Sequence, residues 1–132
     1  MGIVIKTGFD SMRLDDVMAL FQQTYWANRR TRELVERSMR ASLCYGAFDA
    51  ESGTQIGFAR VVTDGCTIYY LCDVIVDERY RGRGAARALL DTLTNDERIK
   101  GLRGLLFTRD AFGLYRKYGF ECTERAMMCE PF

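Results

Sequence analysis

One segment limits what this chain can fold into more than any other. The run CTIYYLCDVIV (66–76) leads into DERYRGRGAARALL (77–90). An apolar stretch rich in β-branched and aromatic residues reads as a central strand buried on both faces. The spacing then becomes helical, with Leu89, Leu90 and Leu93 on one side. Between strand and helix lies a turn carrying Gly82 and Gly84, interleaved with Arg79, Arg81 and Arg83. Strand, glycine turn and helix in that order form the crossover step of an α/β sheet, where such sheets place their ligands. A helix start has unpaired N–H groups and the positive end of the dipole, and glycines let the backbone close around an anion. The ligand that matches is a pyrophosphate. The turn lacks the Gly-Lys-Ser/Thr of a P-loop, having Gly84-Ala85-Ala86 instead, and it lacks the third glycine of a dinucleotide fingerprint.

The remaining periodicities predict strands at 3–8, 43–49, 55–63 and 102–108, with one or two more in 120–132. Helices are predicted over 13–27, 31–42, 84–97 and 110–118. Ser11 or Asp10 is the expected cap of the first helix, whose inner face is Leu14, Val17, Met18, Phe21 and Tyr25. Thr31 caps the second, with Leu34, Val35, Ser38 and Met39 inward, and Gly119 ends the last. This order describes an α/β fold: a mixed, mostly antiparallel sheet with one β-α-β crossover and helices on both faces. At 132 residues, one domain is expected.

Composition excludes several function classes. A net charge of +1 gives no global attraction to nucleic acid or membrane. No run is long and apolar enough to span a bilayer, and no leader is legible. The five cysteines show no CxxC spacing and the chain has no histidine, so no metal site is expected. Cysteines in apolar, strand-like contexts read as reduced thiols of a cytoplasmic protein.

Two blocks carry a family resemblance. The segment VDERYRGRGA (76–85) resembles the acetyl-CoA-binding signature of the GNAT acetyltransferases, Arg/Gln-x-x-Gly-x-Gly/Ala, with Arg79, Gly82 and Gly84 on its fixed positions. The segment TRDAFGLYRKYGF (108–120) is similar to the family's Asn-x-x-Ala-x-x-x-Tyr-x-x-x-Gly-Phe block through Ala111, Tyr115, Gly119 and Phe120, with Thr108 replacing the Asn. One helix and one strand separate the blocks, as in that family, and the element order agrees along nearly the whole chain.

The resemblance implies that acetyl-CoA lies where the strands 69–76 and 102–108 splay apart. The pantetheine arm would pair with the backbone of Val74 and Val76 as an added strand. The pyrophosphate would rest on the N–H groups of Arg81, Gly82, Arg83, Gly84 and Ala85, with Arg79, Thr108 and Ala111 completing the cofactor set. The Val74 N–H would polarise the thioester carbonyl, and Tyr115 would be the general acid that protonates the departing thiolate. The base is open. Asp73, an acid inside the most apolar strand, is either a catalytic group of shifted pKa or the partner of an arginine or a loop. Strand alternation sets it opposite Val74 and Val76 unless a bulge intervenes, and gives Tyr70 and Cys72 the parity of Val74. Cys72 as an acylated nucleophile has no histidine to activate it.

The acceptor pocket is expected from Tyr25, Trp26, Arg60, Tyr70 and Cys72; Arg29, Arg30 and Arg32 are either a solvated basic linker or, where they face the site, charges that favour an acidic or carboxylate-bearing amine over a polyamine. The function implied is acetyl transfer from acetyl-CoA to a primary amine of a small molecule or amino acid, in a ternary complex. The alternatives are a protein N-terminal or lysine acetyltransferase and a non-catalytic acyl-CoA sensor. The apolar end Pro131–Phe132 is a candidate contact for a homodimer.

Overall fold

The computed structural model describes residues 2–131, so Phe132 of the apolar end lies outside the described residues. Five strands form one sheet in chain order: β1 (Ile3–Thr7), β2 (Leu43–Asp49), β3 (Gln55–Thr63), β4 (Ile68–Val76) and β5 (Arg103–Leu105). β1 to β4 are antiparallel neighbours, and β5 is parallel to β4. Helices α1 (Leu14–Gln22) and α2 (Arg32–Arg40) connect β1 to β2. Helix α3 (Ala85–Thr94) carries the crossover, and α4 (Phe112–Arg116) follows β5. The mixed, mostly antiparallel sheet read from the sequence is the one observed. Among the described residues, no helix is long and apolar enough to cross a membrane.

Helices cover both faces. On one, Leu89, Leu90 and Leu93 of α3 pack on Tyr45, Val61 and Leu71. Each buried leucine contributes roughly 1.5–3 kcal/mol relative to exposure. On the other, Val17, Leu20 and Phe21 of α1 and Val35 and Met39 of α2 pack on Phe58 and Ile75. Thr31 caps α2 as read, accepting from the Leu34 N–H at 3.2 Å, but Leu34 itself is exposed.

The start of α1 differs from expectation. Neither Ser11 nor Asp10 caps it. The Arg13 N–H donates to Gln55 Oε1 at 2.9 Å, and the Gln55 N–H donates to Asp16 Oδ2 at 3.0 Å. This reciprocal pair fastens the helix to the start of β3, a cap that comes from a distant strand. The helix also stops early. The Thr24 hydroxyl donates to the Phe21 carbonyl at 2.8 Å and accepts from the Ala27 N–H at 3.1 Å, which turns the chain away. Tyr25 therefore leaves the inner face and stands exposed with Trp26 in the linker to α2.

The C-terminal edge is also shorter than predicted. β5 spans only Arg103–Leu105, and no strand follows Phe120 among the described residues. Glu121, Glu124, Arg125 and Glu130 interrupt the apolar residues there, so no alternating face can be buried, and Met127 is 98% exposed. Helix α4 ends as predicted at Gly119, whose φ of 89° lets the Phe120 N–H turn back to the Tyr115 carbonyl at 3.3 Å.

β4 contains a bulge. Phe58 pairs with Ile75 and Arg60 with Cys72, so Asp73 and Val74 together oppose Ala59. Asp73 sits at φ 53°, in the left-handed region that most residues avoid. The extra residue reverses the alternation. Tyr69 and Leu71 pack on the α3 side before it, and Val74 and Val76 do so after it. Tyr70 and Cys72 consequently do not share the parity of Val74, which corrects the reading from simple alternation.

Gly104 is where β5 closes on β4. A Cβ at this position would lie 2.6 Å from the Tyr69 hydroxyl oxygen, inside contact distance. Gly104→Ala should lower stability by about 1–3 kcal/mol, as overpacking of a filled site does. Urea denaturation followed by circular dichroism measures it.

Candidate active site

The two parallel strands pair only from Ile68 to Tyr70 against Arg103 to Leu105. Past Tyr70 the edge of β4 that faced β5 has no strand partner. The gap is a cleft of about 210 Å³, with Val74, Val76, Ala111 and Tyr115 on its walls, Trp26 across from them and Arg81 also lining it. The bulge turns Val74 and Val76 toward the α3 side of the sheet, beside α4.

The bulge is held by charge. The Asp73 carboxylate is 3% exposed, and its Oδ2 accepts from Arg60 Nε at 2.8 Å and from Arg30 Nη1 at 3.0 Å. Arg60 also donates to the Ser42 hydroxyl at 3.0 Å. One buried carboxylate therefore ties β3, β4 and the linker that carries Trp26. Arg60 is committed to this network. Cys72 lies beside it, its thiol 3.5 Å from the Arg60 carbonyl. Burial pushes the Cys72 thiol up to about 11 against the opposing pull of Arg60, so it is protonated at neutral pH and a poor nucleophile.

The loop after β4 is set by local bonds. Asp77 is buried and accepts from the Arg79 N–H at 2.9 Å, from Arg79 Nε at 3.2 Å and from Nη2 at 2.9 Å. The Arg79 guanidinium holds the Asp77 carboxyl below the usual carboxylate range, against the cost of burial. The Glu78 N–H donates to Gln23 Oε1 at 3.0 Å, which links the loop to the end of α1. Gly82 (φ 77°) and Gly84 (φ 86°) then bring the chain into α3 through conformations that favour glycine. A Cβ built on either points into open space.

The first backbone bond of α3 runs from the Ala88 N–H to the Gly84 carbonyl at 2.9 Å. Among the described residues, the N–H groups of Arg81, Gly82, Gly84, Ala85, Ala86 and Arg87 find no acceptor in the protein. Arg83 lies beside them with its guanidinium 5.3 Å from the centroid of the Tyr80 ring. Unsatisfied donors clustered at a helix start suit a bound phosphate group. Together with the unpaired β4 edge, they fit the phosphate and pantetheine parts of coenzyme A.

Tyr115 stands on the α4 wall of the cleft. Its ring is edge-on to Phe120 at 6.1 Å. Its hydroxyl makes no hydrogen bond within the protein among the described residues. Burial, and secondarily the charge of Asp110, raises the phenol above its ordinary value. The Thr108 hydroxyl accepts from the Ala111 N–H at 3.1 Å, so it shapes the entry to α4.

Of the expected acceptor residues, Trp26 lines the cleft. Tyr25 packs against Trp26 at 5.3 Å, and Tyr70 packs on Phe107 at 5.8 Å. Gln23, Leu114, Phe107 and Arg109 were not legible as site residues. The first two line the cleft, Phe107 abuts Tyr70, and the Arg109 guanidinium lies 4.4 Å from the centroid of the Tyr25 ring. Each lies one to three residues from a residue that was read, but nothing in its own type marks it out.

Comparison with known proteins gives this geometry a family. The family model described as an acetyltransferase (GNAT) domain matches residues 40–122. The chain belongs to the GNAT acetyltransferases, a family of acyltransferase enzymes that use acetyl-CoA. A protein from Xanthomonas campestris pv. campestris assigned to the same family is 34% identical and superposes with a TM-score of 0.91, covering 100% of this chain and 94% of that one. Serotonin N-acetyltransferase 2 of Oryza sativa subsp. japonica is 30% identical over 117 residues, which are 87% of this chain and 58% of that protein. The chain spans about three fifths of the length of the curated relatives it matches. AAC(6')-Iy, at 22% identity and a TM-score of 0.70, covers 100% of this chain and 99% of its own and shares the fold; its structure holds a bisubstrate analogue containing coenzyme A.

The bulge makes a stability prediction. Asp73→Ala leaves the buried Arg60 without its carboxylate and should cost about 3–5 kcal/mol. Asp73→Gly should retain about 1–2 kcal/mol more than the alanine variant, because glycine adopts positive φ without a Cβ clash. Parallel urea titrations of the two variants test both the charge and the backbone contribution.

Proposed function

We propose that this protein transfers the acetyl group of acetyl-CoA to a primary amine of a small molecule or amino acid, by direct attack in a ternary complex. The observation that carries the reading is one continuous cleft with acceptorless N–H groups at one end and a free phenol at the other. The bisubstrate analogue bound by a protein of the same fold supports the same arrangement.

Acetyl-CoA supplies an activated acetyl thioester. In this reading Gly82, Gly84 and the first N–H groups of α3 hold the pyrophosphate, aided by Arg81 and Arg83. Arg79, already braced on Asp77, keeps the loop in shape. Val74 and Val76 offer backbone groups to the pantetheine arm, and the Val74 N–H stabilises the negative charge that grows on the carbonyl oxygen. The amine nitrogen bonds to the carbonyl carbon and the carbon–sulfur bond breaks. Tyr115 gives its proton to the leaving sulfur, and the proton released by the amine goes to water. Among the described residues, no carboxylate or imidazole lines the cleft. Asp73, with Oδ2 engaged by two guanidinium groups, is a positioning residue here, and not the base.

Calorimetric titration with acetyl-CoA, followed by thiol release against amines, amino acids and peptides, tests the reading. Binding with turnover on free amines supports it. Turnover only on peptides or proteins would favour a protein acetyltransferase, and binding without turnover a sensor.

Two variants sharpen the assignment. Gly84→Asp should weaken acetyl-CoA at least ten-fold (about 1.4 kcal/mol), while Gly84→Asn should weaken it less. Both residues tolerate positive φ, so the difference between their calorimetric affinities isolates the charge. Tyr115→Phe should lower kcat by about 10²–10⁴-fold with little change in cofactor affinity. A raised phenol is protonated below its pKa and loses its proton above it. The Tyr115-dependent part of kcat should therefore persist through neutral pH and fall only above about 10, the ordinary phenol value, in a pH–rate profile.

A further inference from the structure

Four aromatic side chains, brought together by segments far apart in the sequence, form two edge-to-face pairs, and one of the four, Trp26, lines the cleft. Tyr25 and Trp26, 64% and 50% exposed, stand edge to face in the linker after α1. Phe107, 54% exposed, follows β5 and meets Tyr70 of β4 at an interplanar angle of 77°. Arg109 joins the two pairs, since it follows Phe107 by two residues and covers the Tyr25 ring. Trp26 belongs to the wall of the cleft itself. Large aromatic faces left in water around a cleft mark a surface that a ligand covers.

The charges exclude one kind of ligand. The carboxylate whose field reaches the Tyr115 hydroxyl is Asp110, which is exposed and adjacent to Arg109. The buried Asp73 is already neutralised by Arg30 and Arg60. Among the described residues, the cleft lining carries the Arg81 guanidinium and no carboxylate side chain, so a polycation would meet like charge on the wall. A flat apolar body would meet ring faces and edges.

We infer that the acceptor is a primary amine attached to an aromatic group, with the ring seated between the Tyr25–Trp26 and Tyr70–Phe107 pairs and the amine directed toward the Tyr115 end of the cleft. This rests on the acetyl-transfer reading and narrows its substrate to aromatic amines and aromatic amino acid derivatives.

Phenylalaninamide and alaninamide form a matched pair, with the same α-amino group and different side chains. Acetyl-CoA binding is measured first by calorimetry, which tests acetyl transfer separately from acceptor choice. With saturating acetyl-CoA, phenylalaninamide should show a KM at least ten-fold below that of alaninamide, and spermidine should not be acetylated. Trp26 is the sole tryptophan, so its emission reports directly on the site. Phenylalaninamide, added in the presence of coenzyme A, should change that emission where alaninamide does not. Phe107→Ala and Tyr25→Ala should collapse the KM ratio toward one and leave acetyl-CoA affinity within two-fold. Equal KM values, acetylation of spermidine, or an unresponsive Trp26 would overturn the inference. So would sedimentation showing a dimer that Phe107→Ala dissociates, because the aromatic surface would then be a subunit contact. Loss of acetyl-CoA binding in the unaltered protein would instead overturn the acetyl-transfer reading beneath it.

Discussion

The buried carboxylate of Asp73 is the constraint on which the site depends. A charge in an apolar sheet is costly unless it is paired, and this one is paired twice. Arg60 reaches it from the neighbouring strand and Arg30 from the linker between the first two helices. The pairing accompanies a backbone conformation that few residues adopt, and that conformation re-phases the end of β4. Without the re-phasing, Val74 and Val76 would turn to the other face of the sheet. The Arg30 pair also holds the linker beside the cleft, so the shape of the strand and the placement of Trp26 share one origin.

A second group of bonds brings the ends of the site into register. Gln23 closes α1 onto the loop after β4, and Asp77 keeps that loop tight through the backbone and side chain of Arg79. The loop therefore enters α3 with its glycines already in left-handed conformations and its N–H groups exposed. Preorganisation of this kind lowers the ordering cost of binding an anion. The same cleft brings together acceptorless N–H groups, an unpaired strand edge and the Tyr115 phenol.

Much of this was legible in the sequence because it depends on local pattern. The switch from strand to helical spacing around Gly82 and Gly84 located the crossover, and Thr31 and Gly119 marked helix ends through side-chain and backbone chemistry of their own. What was not legible depends on distant partners. The cap of α1 is supplied by Gln55, which no nearby residue announces. The bulge at Asp73 breaks the alternation, so Tyr70 and Cys72 lack the parity with Val74 that simple alternation implies. The tail after Phe120 was read as strand from its apolar residues, but scattered charges leave it no face to bury. Phe107 and Arg109 meet Tyr70 and Tyr25 only in the folded chain, where the β5–α4 connection comes beside the α1–α2 linker.

The short pairing of β5 with β4 has a kinetic meaning. β1 to β4 join neighbours in both sequence and space on either side of the two-helix excursion, whereas β5 reaches β4 only after the chain has completed α3. Parallel pairing across a crossover forms late, because the loop-closure cost precedes any reward. The cleft is thus the seam between the antiparallel meander and the β5 edge, which α4 follows with Tyr115. Three rungs at Ile68, Tyr69 and Tyr70 are the hinge of that seam. Local opening there, well below the energy of global unfolding, would widen the cleft from the Tyr115 side and leave the glycine loop on its far side undisturbed.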